Sequence, residues 1–213
     1  MAETFIFFNN FMDIYSDKNT VELVTVAAEF CAFVEKARKF TKKDFLLKLH
    51  KLLPLVYLKT ALLGTLDEDS FEEGFVEAYI SEYEYEYVKK GVSITLGSED
   101  KFINIFNIDS SDLEQEQQEA SGVLTDIYHN LKNFVENYRS LSEQSAQASR
   151  QELINDFKMS WGQKLLSLLN YLHHLVYFSF LEDIDEENED SFEEENSQKT
   201  FYNNFIDNYH KKI

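Results

Sequence analysis

The stretch VLTDIYHNLKNFVENYRSL, residues 123–141, decides the fold class. Its apolar members Leu124, Ile127, Leu131, Phe134, Tyr138 and Leu141 recur at alternating spacings of three and four, the period of one face of an α-helix. Side chains so spaced form a continuous seam, which is stable only when another element covers it. The run is too short to require a coiled coil, so a helix of a bundle explains it equally well.

Outward from this seam the same period returns. From Thr20 to about Lys39, Leu23, Val26, Phe30 and Phe33 form one stripe beside a second of Val24, Ala27, Cys31 and Val34, and Asn19 with Glu22 resembles a helix-start box. A further helix starts at Thr41, carries Phe45, Leu46, Leu49, Leu53 and Val56, and ends at Gly64. Pro54 inside it lacks an amide donor and crowds the preceding turn, so a kink or restart is expected there. The segment SEYEYEYVKKGVSITLG, residues 81–97, alternates like a strand, but Ser81 with Glu84 makes a capping box and Gly97 a helix stop, so a helix is expected. Lys101 to Ile108 reads as extended, and the capping pair Ser111 and Glu114 would let the seam helix begin early. From Glu143 to Phe180 the stripe Ile154, Phe157, Trp161, Leu165, Leu168, Leu172 and Leu175, with leucines on other sides, describes the central helix of a bundle. Together these give a single all-α bundle of five to seven helices, one kinked at Pro54. A lead-in covers residues 1–15, the bundle 16–181, and an acidic linker with a short amphipathic tail 182–213.

A formal charge of −19 on 213 residues weighs against a nucleic-acid binder, whose phosphate contacts need a basic face. The imbalance is local. Nine acids and no base lie between Lys59 and Lys89, ten acids and no base between Lys164 and Lys199, and the rest of the chain carries 20 of each sign. One basic cluster, Lys36 to Lys51, reads as an intramolecular complement to the acids in preference to an anion patch. The opening MAETFIFFNN has no basic n-region, and Leu165 to Leu181 is too short and too polar to span a bilayer, so neither signal peptide nor membrane is expected. The single Cys31, flanked by apolar residues, excludes an intrachain disulfide and fits a reducing cytoplasm.

The chain has no phosphate-binding glycine loop and no HExxH, GxSxG or CxxC motif. Two constellations remain. Asp126 and His129 stand three apart on the seam helix, and with His173 and His174, and with Glu29 in reach, they could hold a metal, although a hydrogen-bonded boundary histidine is the commoner reading. Tyr83, Tyr85 and Tyr87, interleaved with Glu82, Glu84 and Glu86, offer an acidic and aromatic surface for a basic partner, with Trp161 as a further aromatic candidate. Gly162 beside that indole would relieve a close helix crossing.

The phrases NTVELVTVAAEFCAFVEKA (19–37), LHKLLPLVYLK (49–59), DIYHNLKNFVENYR (126–139) and WGQKLLSLLNYLHHL (161–175), with SEYEYEYV, resemble in order and spacing the bacterial, Bacteroides-type domain-of-unknown-function 5063 family over about residues 16–180. The resemblance implies a cytoplasmic, all-helical domain and no reaction. The expected function is therefore a non-catalytic protein-interaction or accessory factor. It would need no cofactor, would engage a protein partner of basic character, and would leave self-association open. The alternative is a metal- or small-ligand-binding bundle with enzymatic activity.

Overall fold

A computed structural model describes residues 14–64, 75–104 and 116–179. Six α-helices run in order among them: α1 Lys18–Val34, α2 Lys42–Ala61, α3 Glu82–Leu96, α4 Ala120–Arg139, α5 Glu143–Asp156 and α6 Gly162–His174. The chain forms two compact units. The first ends at His173; the second, from His174, contributes a π-helical turn Leu175–Ser179, in which the His174 and Phe178 rings lie 5.4 Å apart.

Helix starts follow local chemistry. Thr41 caps α2 by accepting from Asp44 N, and Ser81 with Glu84 closes the expected capping box on α3. At α1 the cap is Asp17, not Asn19: its carboxylate accepts from Thr20 N at 3.1 Å and Thr20 Oγ1 at 2.5 Å. Asp17 thus caps the helix two residues earlier, and Asn19 instead donates to Leu62 O at the far end of α2. Pro54 lies inside α2, which continues past it to Ala61 without restarting. Gly97 ends α3 at φ 59°, a backbone conformation that glycine adopts without steric cost.

The extended expectation for Lys101 to Ile108 is met over Lys101–Asn104 by a short ribbon, and residues 105–108 lie outside the described residues. Strand β1 Lys101–Asn104 pairs antiparallel with β2 Glu116–Glu119, Lys101 opposite Glu119 and Phe102 opposite Gln118. Because β2 occupies Glu116–Glu119, the seam helix begins only at Ala120, later than the Ser111–Glu114 pair would place it; that pair lies outside the described residues. The start of α4 has no side-chain cap of its own. Asp100, 7% exposed, caps it from a distance, accepting from Ser121 N at 2.7 Å and Ser121 Oγ at 2.9 Å.

The central helix is α4, not the 161–175 run. Helix α4 packs on α1, α3 and α5, and buries Leu124, Ile127, Leu131 and Phe134 almost completely, each contributing about 1.5–3 kcal/mol. Helix α6 keeps Leu165, Leu168 and Leu172 inside but shows Leu166 to solvent. The seam loses its last member: Leu141 is past the end of α4, 81% exposed, with φ 60°. Cys31 is core, and burial pushes its thiol up to about 12.

From Glu143 onward the helix carries a π-turn, Phe157–Trp161, between α5 and α6. A Cβ on Gly162 would stand 2.5 Å from Phe157 O and 2.9 Å from its ring. The crowding that glycine relieves thus comes from the widened turn of its own helix, not from a crossing helix. Among the described residues no helix is long and apolar enough to cross a membrane.

Candidate functional site

Helical geometry parts the three tyrosines of α3. Successive alternate residues rotate by about 200°, so an alternating strand-like pattern cannot stay on one helical face. Tyr83 is largely exposed. Tyr85 turns toward α4, donating to Asp126 Oδ1 at 2.6 Å and meeting the His129 ring edge-on. Burial, and then Asp126, raise its pKa, so the phenol stays protonated. Tyr87 faces outward beneath Arg38, whose guanidinium carbon sits 5.2 Å from the ring centroid. Glu82 and Glu86 are exposed beside them.

Asp126 and His129 remain neighbours on α4, each with other partners. Lys164 Nζ approaches Asp126 Oδ2 at 3.2 Å, and His129 Nε2 lies 3.2 Å from Asn133 Nδ2. His173 is instead 5.7 Å, ring to ring, from His50 of α2, where burial and then His173 lower the His50 pKa. His174 belongs to the second unit, and Glu29 is exposed on α1. Among the described residues no three His, Cys, Asp or Glu side chains stand together as a metal site. Trp161 is 1% exposed, its ring edge-on to Phe157 at 4.8 Å, so this candidate is a core residue out of a partner's reach.

What the chain does assemble is a cleft of about 500 Å³ where α3, α4, the end of α1 and residues 75–80 meet. Glu35, Glu84 and Glu136 line it with the rings of Tyr79, Tyr87 and Tyr128, and Ile80 and Val88 give it an apolar floor. Among the described residues its one lining cation is Lys132, whose ammonium lies 3.3 Å from Glu35 Oε1 and 3.2 Å from Glu136 Oε1. Burial opposes the charge on Lys132, but Glu136 and Glu35 outweigh it and raise the pKa. Tyr128 donates to Glu35 Oε1 at 3.1 Å; burial and then the Glu35 charge raise its pKa. Hydrogen bonds from Ser81, backbone first, hold the Glu84 carboxyl below its ordinary range.

Residues 75–80 are fixed to this wall by side chains that imitate a neighbouring strand. Asn137 accepts from Glu77 N at 3.1 Å and donates to Glu77 O at 2.9 Å; Asn133 accepts from Tyr79 N and Ile80 N. Three of the cleft groups could have been read from α4 alone. Tyr128, Lys132 and Glu136 repeat every fourth residue on one side of the apolar seam, and His129, Asn133 and Asn137 repeat likewise beside them. Glu35 and Tyr79 reach the cleft from distant segments and carry no such signal.

The basic cluster is partly spent within the fold: Arg38 on Tyr87, Lys42 3.9 Å from Glu99, and Lys48 on the Phe40 ring. The cleft combines carboxylates with electron-rich ring faces, a combination that accepts cations and repels anions.

A search of curated proteins returned no match. Protein BF1032 from Bacteroides fragilis, known from a crystal structure, is similar in fold with a TM-score of 0.67 and 32% identity, covering 78% of this chain and 96% of that one. The model of the domain of unknown function DUF5063 matches residues 14–178, a span that takes in all of α1 to α6 and every lining residue of the cleft. The chain belongs to the DUF5063 family.

Proposed function

We propose that this is a cytoplasmic, non-catalytic interaction factor that engages a basic segment of a partner protein at the cleft between α3 and α4. The observation that carries the reading is the composition of the cleft wall: three carboxylates and three tyrosine rings around a single ammonium. A lysine or arginine side chain would gain charge-assisted hydrogen bonds to the carboxylates and a ring face for its stem. Long-range attraction from the acidic surface would raise the association rate and make binding sensitive to salt. The acidic run 182–195, which lies outside the described residues, would add to that attraction without being needed for the site.

Calorimetric titration with an acetylated lysine-rich octapeptide tests this. Wild-type protein binds, Glu84→Gln and Glu136→Gln each weaken binding several-fold, Glu29→Gln, an exposed position outside the cleft lining, does not, and raising salt from about 0.05 to about 0.5 M weakens it further. Absence of binding at low salt, or binding that ignores both cleft substitutions, refutes the reading.

A further inference from the structure

We infer that Lys132 is an internal stand-in for the partner's cation, so that the cleft binds a lysine side chain by exchange, the incoming ammonium expelling that of Lys132 from Glu35 and Glu136. This rests on the proposed function and specifies how that site is regulated. Three features lead to it. The Lys132 ammonium lies between two carboxylates from different helices, at 3.3 and 3.2 Å, inside a cavity large enough for a second side chain. Tyr128 donates to the same Glu35 oxygen, Oε1, so the pocket already presents the paired carboxylates and aromatic wall that an ammonium requires. At the cleft's edge a second intramolecular cation, Arg38, lies over Tyr87, so a ring of the wall also has a cation on its face.

Exchange has a definite physical signature. Lys132 has four rotatable side-chain bonds and is about a quarter exposed, so its head group can swing to water without moving α4. The pairing at the carboxylates is preserved in the swap: one ammonium leaves Glu35 and Glu136 as another arrives, so neither carboxylate is left without a cation. An anion gains nothing from the site, and an apolar side chain would leave two carboxylates without a cation. The internal lysine thus raises the threshold for binding and favours partners that present a cation.

The test compares Lys132→Met with wild type in the same titration with the acetylated lysine-rich octapeptide. Removing the competing ammonium should tighten binding roughly five- to tenfold, the scale of a partly exposed ion pair with two acceptors. Affinity that is unchanged or weaker overturns the exchange and leaves the binding site standing, whereas wild-type protein that does not bind at all refutes the site as well. Because the variant leaves Glu35 and Glu136 facing each other and could unfold, a second measurement uses the native chain. Reductive methylation read by peptide mapping should find Lys132 modified several-fold faster with peptide bound, while Lys59, paired with Glu22 at 2.6 Å away from the cleft, keeps its rate. A Lys132 that becomes protected on binding overturns exchange.

Discussion

Replacing Gly162 by alanine sets two effects of opposite sign against each other. Alanine is favoured over glycine inside a helix by about 1 kcal/mol, so on propensity alone the change should stabilise. The new Cβ, however, would lie 2.5 Å from Phe157 O and 2.9 Å from two carbons of the Phe157 ring. The ring cannot easily yield, being edge-on to Trp161 at 4.8 Å and to Tyr57 at 5.2 Å, and the carbonyl belongs to the backbone of the π-turn. Overpacking of this kind costs about 1–3 kcal/mol, and its upper end applies where a main-chain atom is in the way. The net expectation is a loss of about 2 kcal/mol, seen as a melting temperature lower by about 4–8 °C for a domain of this size. Urea unfolding followed by far-UV circular dichroism measures it, with the emission of Trp161, the only tryptophan, as a local reporter. Gly64→Ala is the control, since nothing lies within 4 Å of the added carbon. It should be neutral or stabilising by up to about 1 kcal/mol. A Gly162→Ala protein as stable as wild type would refute the argument that the π-turn requires glycine.

Other substitutions follow from the same geometry. Asp100→Ala strands Ser121 N and Oγ at the start of α4 and should cost about 1–3 kcal/mol in denaturant unfolding. Asn137→Ala removes both hydrogen bonds to Glu77 and should cost about 2 kcal/mol, with faster hydrogen exchange at the Glu77 amide while α4 stays protected. Leu141→Asn should stabilise by about 0.5–1 kcal/mol, because asparagine tolerates φ 60° better and little burial is lost at 81% exposure; an unchanged midpoint would refute it. Cys31 should resist thiol reagents at pH 8 until the protein is denatured. With its folded pKa raised from an ordinary 9.0 to about 12, the stabilising effect of keeping the thiol neutral is whole below pH 9 and is lost progressively toward pH 12.

The helices were legible wherever a stripe and a cap agreed. Thr41, the Ser81–Glu84 box and Gly97 mark ends that depend on groups within one turn, and the strand-like Tyr83, Tyr85, Tyr87 alternation gave way to them. The start of α4 was illegible because its cap, Asp100, stands 21 residues away in sequence. The rank of the helices was also misleading: a run rich in leucine, 161–175, looks central, yet α4 is central because it has neighbours on three sides. Surface chemistry was half legible. Glu84 and Tyr87 line the cleft as an acidic and aromatic surface would suggest, whereas Tyr85 went to Asp126 and Trp161 to the core. Periodicity specifies the face a residue occupies on its own helix, and a cleft is set by which helices face each other.

Arg150 of α5 and Asn137 of α4 tether the chain at two separate points. Arg150, 6% exposed, donates from Nη2 to Gly64 O at 3.0 Å and from Nε to Thr20 Oγ1 at 3.2 Å, while Asn137 grips Glu77 through both its amide and its carbonyl. The chain is therefore tied at Gly64 and again at Glu77 by side chains of two different helices. Loss of one tether would release one of these points and leave the other held, so the two contacts can be followed separately by hydrogen exchange at their own amides.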